Sequence, residues 1–271
     1  MPDEAAPSHT AAPRQVSPSL PVGDWLGFLL ALVGVLWLVA RGAEGLGYNW
    51  QWYRVPVFLL GPEGGPGPLL YGLLVTLKLT VLSGLGALAA GLLAALLRLS
   101  GSLTGRALAR AYVEAVRNTP LLIQLLFLYF VLGPVLGMDA MTSAVLGLSL
   151  FEGAYVSEIL RAGVTSIEPG QWDAARSLGM SRLASYRLVV LPQAVRRVLP
   201  PLASQSVSLV KDTSLASVIA IGELTLRGSA IVSETFLSFE IWFTVAALYW
   251  LVTTTLSVLA ARLERRLAYP T

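Results

Sequence analysis

The sequence predicts an all-α integral membrane protein with about six transmembrane helices. Hydrophobic residues make up 55% of the 271-residue chain and charged residues only 13%, whereas about a quarter of the residues in soluble proteins carry charge. Six apolar runs approach or exceed the roughly 20 residues that a helix needs to cross a bilayer. Most of the 19 lysines and arginines would lie on one side of these runs. We therefore expect one helical bundle, because a helix satisfies its own backbone groups in lipid.

Residues 1–21 are rich in Pro, Ala and Ser, and such a composition cannot bury enough apolar surface to fold alone. They predict a disordered cytoplasmic tail. A cleaved signal peptide, formed by the tail and the first apolar run, is the competing interpretation, but Asp3 and Glu4 stand where basic residues are expected. The only histidine is His9, and there are no cysteines. Disulfides and Cys/His metal sites are thereby excluded.

Six spans are predicted from the apolar runs. They cover residues 25–40, 69–97, 120–136, 140–160, 199–221 and 241–261. The first and third runs are close to the lower limit of length for a spanning helix. The third could join the fourth as a hairpin across Gly133-Pro134 and Gly137, because Gly and Pro favour turns. The first span and the loop after it, residues 22–68, precede the remaining spans as a separate segment.

The distribution of basic residues predicts that both termini are cytoplasmic, since Lys and Arg accumulate in short cytoplasmic loops. The predicted cytoplasmic set is Arg14, Arg98, Arg106, Arg110, Arg117, Arg161, Arg176, Arg182, Arg187, Arg196, Arg197, Arg262, Arg265 and Arg266. Only Arg41, Arg54 and Arg227 are predicted to lie on the extracytoplasmic side, and Lys78 and Lys211 fall within spans. The net charge of +3 thus reflects membrane topology. A nucleic acid partner is not expected, because topology accounts for the charge and a patch for RNA or DNA would also need interleaved exposed aromatic residues.

The polar, basic segment of residues 166–192 follows the fourth span. Its first five residues favour a turn, because Pro169 fixes φ and Gly170 can adopt positive φ. Residues 171–178 favour a short helix, and Pro192 is expected to end the next helical piece. The segment predicts a surface helix in a cytoplasmic loop.

Two interpretations of this surface helix follow from its residues. Ala174 and Ala175 offer a small surface that can enter a partner's groove, and Gly179 permits a close turn. Alternatively, the helix lies on lipid headgroups with its arginines facing phosphates. Those arginines are Arg176, Arg182 and Arg187. The residues alone leave both interpretations open.

Five ordered motifs resemble those of importer permeases driven by ATP-binding cassettes (ABC), in the branch that carries polar amino acids. The matching segments are Asp173-Ala174-Ala175 with Gly179, Val189 and Leu191-Pro192 (the EAA-type loop), Arg117-Asn118-Thr119-Pro120-Leu121-Leu122, Gly153-Ala154-Tyr155 with Ser157-Glu158-Ile159 and Arg161, Leu191-Pro192-Gln193-Ala194, and Lys211-Asp212-Thr213-Ser214-Leu215. Asp173 stands where the family usually has Glu, and Val189 where it has Ile. Both replacements are conservative, so the resemblance implies that the loop docks on a partner.

The resemblance implies a five-helix type I ABC importer core over residues 69–267, with the coupling loop at 166–192 and one extra helix before it. It also implies a second permease subunit (a copy or a sister chain), two cytoplasmic ATPases and an extracytoplasmic amino acid binding protein. The expected location is the bacterial inner membrane. The sequence has no GxxxxGK[ST] loop, so ATP and Mg would bind to the partner ATPases and no cofactor to this chain.

In this family the coupling loop docks on the ATPase. The residues that the resemblance assigns to this docking are Gly170, Asp173, Ala174, Ala175, Arg176 and Gly179. Asp173 is expected to cap or orient the short helix, because a carboxylate is favourable near a helix N-terminus. Its alternative role is pairing with an arginine of the ATPase.

Charged residues inside the spans predict the substrate pathway, because a charge near the bilayer centre costs about 2.5–3.5 kcal/mol on insertion scales. The candidates are Lys78, Glu152, Lys211 and Asp212, with Thr213 beside them. Internal pairing that only holds helices together is the alternative. Glu158 and Arg161, one turn apart, are expected to form a gate or a structural ion pair.

The sequence therefore predicts the membrane subunit of an ATP-driven importer of polar amino acids. Glutamate, aspartate or their amides are the favoured substrates. The alternative is a passive channel or an intramembrane enzyme that uses Glu152, Glu158 and Asp212. It is disfavoured because the spans contain no Ser/His, His/Glu or paired-Asp signature of catalysis.

Overall fold

The computed structural model describes residues 22–45, 47–61 and 64–267, and these are largely helical. The predicted tail, residues 1–21, lies outside the described residues. The α-helices are α1 (Val22–Gly45), α2 (Val55–Leu59), α3 (Pro68–Leu99), α4 (Leu103–Arg117), α5 (Leu121–Phe127), α6 (Gly133–Leu136), α7 (Ala140–Thr165), α8 (Pro169–Ser177), α9 (Arg182–Ser185), α10 (Leu191–Asp212), α11 (Leu224–Thr235) and α12 (Ser238–Leu267). The all-α membrane fold predicted from the sequence is confirmed.

The described residues contain fewer continuous membrane spans than the six that the sequence predicts. Among the described residues, three helical segments are long and apolar enough to cross a membrane alone: Pro68–Leu99, Ala140–Thr165 and Ser238–Arg262. Two helix pairs pass the same test only when their members are taken together, and each pair is bent at a short break, by 105° and 51°. Helix α1 contributes a shorter apolar stretch, Trp25–Val35. It belongs to a compact unit of residues 1–50, and the bundle described below lies within residues 51–271.

Helices α3 and α7 pack side by side along much of their length. Small residues make the close approach possible: a Cβ on Gly91 would lie 2.5 Å from Val156, and one on Gly153 would lie 2.9 Å from Ala90. The Ser149 hydroxyl donates to the Ser83 carbonyl at 3.3 Å. Along this contact, higher residue numbers on α3 lie beside higher residue numbers on α7, so the two helices run parallel. Small residues of this kind allow helix backbones to approach closely in membranes.

We expect Gly91→Ala to lower the stability of the bundle, because the new methyl group would also meet the Gly153 carbonyl oxygen at 2.9 Å. Overpacking of a tight contact costs about 1–3 kcal/mol. Gly84→Ala is the matched control on the same helix, since a Cβ there meets only Leu209 at an ordinary 3.5 Å. Thermal unfolding of the detergent-purified protein measures the difference. Equal melting temperatures for the two variants would contradict this account of the α3–α7 contact.

The third predicted span begins earlier and is sharply bent. Helix α4 and the segment Leu121–Leu136 form a pair with a 105° bend, and residues 128–132 of that segment are π-helical. The sequence prediction started at Pro120 because α4 is amphipathic and forms no continuous apolar run. Gln124 fixes the bend: its Nε2 donates to the Val116 carbonyl at 2.8 Å and to the Thr119 hydroxyl at 2.7 Å.

The bend also changes the expected position of Arg117. Its guanidinium lies over the Tyr155 ring, 5.1 Å from the centroid. Tyr155 is ten residues before the end of α7, or roughly 15 Å at 1.5 Å per residue. Arg117 therefore lies beside the middle of α7, not in the loop between spans that the sequence analysis assumed.

The fifth predicted span is part of a longer helix that is continuous from Arg182 to Ile219. It contains a π-helical turn at Tyr186–Val190 and a final 3-10 segment at Thr213–Ile219. The prediction that Pro192 ends a helix is wrong, because the helix continues through Pro192, directly after the π-helical turn. Ala220, with φ of 62°, then breaks the helix, and α11 follows with a 51° bend.

A buried polar network holds this break. The Glu223 carboxylate caps α11, accepting from the Leu226 amide at 2.8 Å and from the Thr225 amide at 2.9 Å. The Tyr249 hydroxyl donates to the same carboxylate at 2.9 Å, and the Leu224 amide donates to the Thr76 hydroxyl at 3.2 Å. These bonds attach the break to α3 and α12.

The bundle has two distinguishable ends. The end that carries the segment from Ser166 to Val190 is called the loop end, and α3 and α7 finish there. At the far end, Leu69 of α3 packs in one cluster with Leu237 and Ile241 at the start of α12. Helix α10 runs opposite to α7, since Gly163 faces Val198 and Glu152 faces Gln205.

Candidate functional site

The loop end begins with helix α8 and a glycine turn. The Met180 amide donates to the Ala175 carbonyl at 3.1 Å and the Gly179 amide donates to the Arg176 carbonyl at 2.9 Å. Gly179 has φ of +71°. This pair of bonds is the Schellman arrangement, in which a glycine in the left-handed region ends a helix. The glycine therefore sets the direction in which the chain leaves α8.

Two details of α8 differ from the sequence predictions. Gly170 is the second residue of the helix and lacks positive φ, because Pro169 starts the helix instead of a turn. Asp173 does not cap α8: it lies in the middle of the helix, and the cap position belongs to Glu168, whose side chain makes no capping bond. The short helix therefore starts two residues before the predicted one.

The outer surface of the loop is more apolar than the sequence suggested. Asp173, Ala174 and Arg176 are exposed, but Ala175 is only 2% exposed and cannot contact a partner. Leu178 and Leu183 are 81% and 78% exposed. Neither leucine was predicted to belong to the site, because the arginines and alanines around them dominate the pattern of this segment. Large exposed apolar side chains beside charged ones are typical of docking surfaces.

Side-chain contacts close the loop on itself. Arg197 of α10 donates to the carbonyl of Ser166 and, at 3.0 Å, to its hydroxyl. Gln193 donates to the Gln171 side chain at 3.1 Å. Trp172 and Tyr186 pack edge to face with ring centroids 4.8 Å apart. The surface contains a cavity of about 530 Å³, which is lined by Ile167, Pro169, Trp172, Asp173, Arg176, Met180, Arg182, Ser185 and Tyr186.

A second polar group lies inside the bundle. Glu152 of α7 is 1% exposed, and its Oε2 accepts from Gln205 Nε2 of α10 at 2.6 Å. The Asp212 carboxyl lies close to the Glu152 carboxyl. Glu152 Oε1 is buried, and no residue in the described part of the chain donates a hydrogen bond to it. A buried oxygen without a donor is costly, so this atom is an acceptor available to a bound solute.

A cavity of about 270 Å³ adjoins this group. Its walls come from three helices, α3, α7 and α10. The lining residues are Thr80, Val81, Gly84, Leu85, Ala87, Leu88, Glu152, Val156, Leu202, Gln205, Ser206 and Leu209. The space exceeds that of several water molecules. Mostly apolar walls with a few convergent polar groups are typical of sites for small molecules.

The remaining predicted pathway residues are not among those that line this cavity. Lys78 and Lys211 are exposed, Asp212 is half-buried and Thr213 is buried. Thr213 donates to the Val210 carbonyl of its own helix at 2.7 Å. Across residues 64–267, neither lysine forms a salt bridge. The structure thus brings Glu152 and Asp212 together, and it adds Gln205, an amide that the sequence analysis passed over because it considered only charged residues in spans.

Glu158 belongs to a different cluster, nearer the loop end. One carboxylate oxygen accepts from Arg161 of the same helix and the other from Arg98 of α3. Glu158 is thus paired on both oxygens and does not join Glu152 and Asp212. Arg98 was not predicted, since nothing in the sequence relates it to a residue 60 positions away.

Comparison with known proteins identifies the family. Residues 87–269 match the family model described as "Binding-protein-dependent transport system inner membrane component". The chain belongs to this family. It is a permease subunit of the amino acid ABC transporter type, as the motifs predicted.

Relatives support the same assignment for this permease over most of its length. The glutamine transport system permease protein GlnP of Escherichia coli (strain K12) is 41% identical over 225 residues, which cover 81% of this chain and 98% of the relative. The L-cystine transport system permease protein TcyB of Bacillus subtilis (strain 168) is 40% identical and covers 72% of this chain and 85% of its own.

A solved structure supports the fold of the permease. The crystal structure of an amino acid ABC transporter with histidines is 39% identical, with a TM-score of 0.70, and covers 73% of this chain and 94% of its own. This match is confined to about three quarters of the permease.

Proposed function

We propose that this permease couples ATP hydrolysis by a partner ATPase to the import of a polar amino acid. The observation that carries the proposal is the closed loop at residues 166–197, which has exposed Leu178 and Leu183 beside the 530 Å³ cavity. A groove of the ATPase would receive this surface. ATP and Mg would bind to the ATPase, and movement of the docked loop would shift the helices as rigid bodies.

The proposed orientation follows from the basic residues. The loop end carries Arg176, Arg182, Arg187, Arg196 and Arg197, which the positive-inside rule assigns to the cytoplasm. The amino and carboxyl termini would then both be cytoplasmic in a bacterial inner membrane. The far end would face the extracytoplasmic binding protein that delivers the substrate.

The proposed assembly contains two permease subunits and two ATPases. Lys78 and Lys211 are exposed on the single chain, and exposed charges within spans are costly in lipid. A second permease chain, or a water-filled path between the two chains, would remove them from lipid. The second subunit is either another copy of this chain or a sister chain.

The proposed pathway passes the cavity formed by α3, α7 and α10. Glu152 lines this cavity and Asp212 lies close to Glu152. Their carboxylate oxygens can accept hydrogen bonds, so they suit the ammonium group of any amino acid and the side-chain amide of glutamine or asparagine. A second carboxylate would be repelled by this pair. We therefore favour an amide amino acid as substrate, and the name of the relative GlnP supports the same class.

The test is uptake of labelled glutamine into proteoliposomes that contain the permease, its ATPase and its binding protein. We expect saturable uptake that requires ATP hydrolysis and is inhibited by asparagine more than by glutamate or aspartate. Uptake that is equal with ADP would indicate a passive channel and contradict coupling. Better competition by the acidic amino acids would contradict the proposed substrate class.

A further inference from the structure

The polar cluster of Arg98, Glu158 and Arg161 joins two helices that are far apart in sequence. Arg98 lies in the last turn of α3, and Glu158 and Arg161 lie on α7. The side chains are only 17%, 29% and 33% exposed, respectively. Each guanidinium donates to a different oxygen of the Glu158 carboxylate. The cluster is thus a two-sided clamp with directed bonds.

The clamp lies close to the proposed coupling loop. Helix α7 continues without a break from Glu158 to Thr165, and α8 begins four residues later at Pro169. Arg197 holds the intervening Ser166 to α10. A displacement of α8 therefore reaches α7 and α10 through the chain and through hydrogen bonds.

The side-chain hydrogen bonds that helix α3 makes to other helices reach Glu158, Ser149 and Leu224, and in the described part of the chain none reaches residues 166–190. Along the bundle it meets α7 through small residues such as Ala90 and Gly91, and such contacts give proximity but few directed bonds. It nevertheless forms one wall of the 270 Å³ cavity, together with α7 and α10. If α3 did not follow α7 when the loop moved, the walls of this cavity would separate.

We propose that the Arg98–Glu158–Arg161 clamp transmits movement of the coupling loop from α7 to α3, so that the two helices move as one body. The inference rests on the proposed function, because it assumes that the loop is driven by an ATPase. Arg98 and Glu158 are positioning residues in this scheme. Neither touches the substrate, and both act through the cavity wall that they hold in place.

The test uses the complete reconstituted transporter and measures ATP hydrolysed per amino acid imported. We expect Arg98→Gln to raise this ratio about tenfold, a typical coupling effect between sites, with ATP hydrolysis itself little changed. Arg110→Gln is the control, because Arg110 is an exposed α4 arginine that forms no salt bridge among the described residues. The exchanged pair Arg98→Glu with Glu158→Arg should restore coupling, since a carboxylate on α3 would again pair with a guanidinium on α7.

A distance measurement gives a second, independent result. The chain has no cysteines, so spin labels at Leu96→Cys and Thr165→Cys report only the ends of α3 and α7. We expect their separation to stay constant between the nucleotide-free and ATP-trapped transporter, and to change when Arg98→Gln is added. A separation that changes in the unsubstituted chain would overturn the inference.

The outcomes also separate this inference from the proposed function. If the unsubstituted chain shows no ATP-dependent uptake, the proposed function fails. If it transports, and Arg98→Gln transports at the same ATP cost, only the clamp is overturned. Parallel loss of hydrolysis and uptake in Arg98→Gln, with no recovery in the exchanged pair, would likewise overturn it.

Discussion

Gly179→Val should reduce ATP-dependent uptake about tenfold or more. Gly179 has φ of +71°, and a residue with a Cβ costs about 1–2 kcal/mol there, more when it is β-branched. The two Schellman bonds from Gly179 and Met180 would break. Leu178 would then leave its position on the docking surface, and hydrolysis would no longer drive transport. The measurement is uptake per ATP hydrolysed in proteoliposomes.

Two variants control for the effect of adding a side chain to a glycine. Gly101→Ala, outside the coupling loop, adds a methyl group with no atom within 4 Å and no positive φ, so we expect full activity. Gly179→Asn should retain most activity, because Asn tolerates the left-handed region. If Val, Asn and Ala variants behave alike, the conformation of Gly179 does not determine coupling.

Glu152→Gln should lower kcat/KM for uptake about tenfold or more. The substitution keeps the size of the side chain but replaces one acceptor with a donor, next to Gln205 and the cavity that Glu152 lines. A buried polar group left without its partner costs about 1–3 kcal/mol, and each 1.36 kcal/mol of transition-state stabilisation changes the rate tenfold. Basal ATP hydrolysis should persist, because the loop end is unchanged.

Ser206→Ala is the matched control for this prediction. Ser206 lines the same cavity, but its hydroxyl donates to the Leu202 carbonyl of its own helix at 3.0 Å. It has no free donor for a solute, so we expect nearly unchanged uptake. A loss in Ser206→Ala as large as that in Glu152→Gln would mean that cavity shape, and not the carboxylate, limits transport.

The sequence predicted those spans that are continuously apolar. The runs at 69–97 and 140–160 correspond to α3 and α7, which end within a few residues of the predicted limits. It missed α4, because apolar and charged residues alternate there at helical spacing. It also missed the start of the long helix at Arg182, because arginines and Pro192 interrupt its apolar character.

The site was partly predictable for a related reason. Charges inside apolar runs are rare, so Glu152 and Asp212 could be identified as candidate site residues without knowledge of the fold. Their contact with each other and with Gln205 depends on the antiparallel packing of α10 on α7, which no local pattern encodes. Burial of Ala175 and exposure of Leu178 likewise depend on how the loop folds back onto α10.

The continuous helix from Arg182 to Ile219 is long enough to amplify a small tilt at one end into a larger displacement at the other. At 1.5 Å per residue it is roughly 55 Å long, well beyond the roughly 30 Å hydrocarbon thickness of a bilayer. A tilt of about 5° at the loop end would displace its other end by about 5 Å over that length. Ala220, in its left-handed conformation, ends this helix and lets the backbone change direction there. A small rotation beneath the membrane would thus become a movement as wide as a helix turn near the opposite surface.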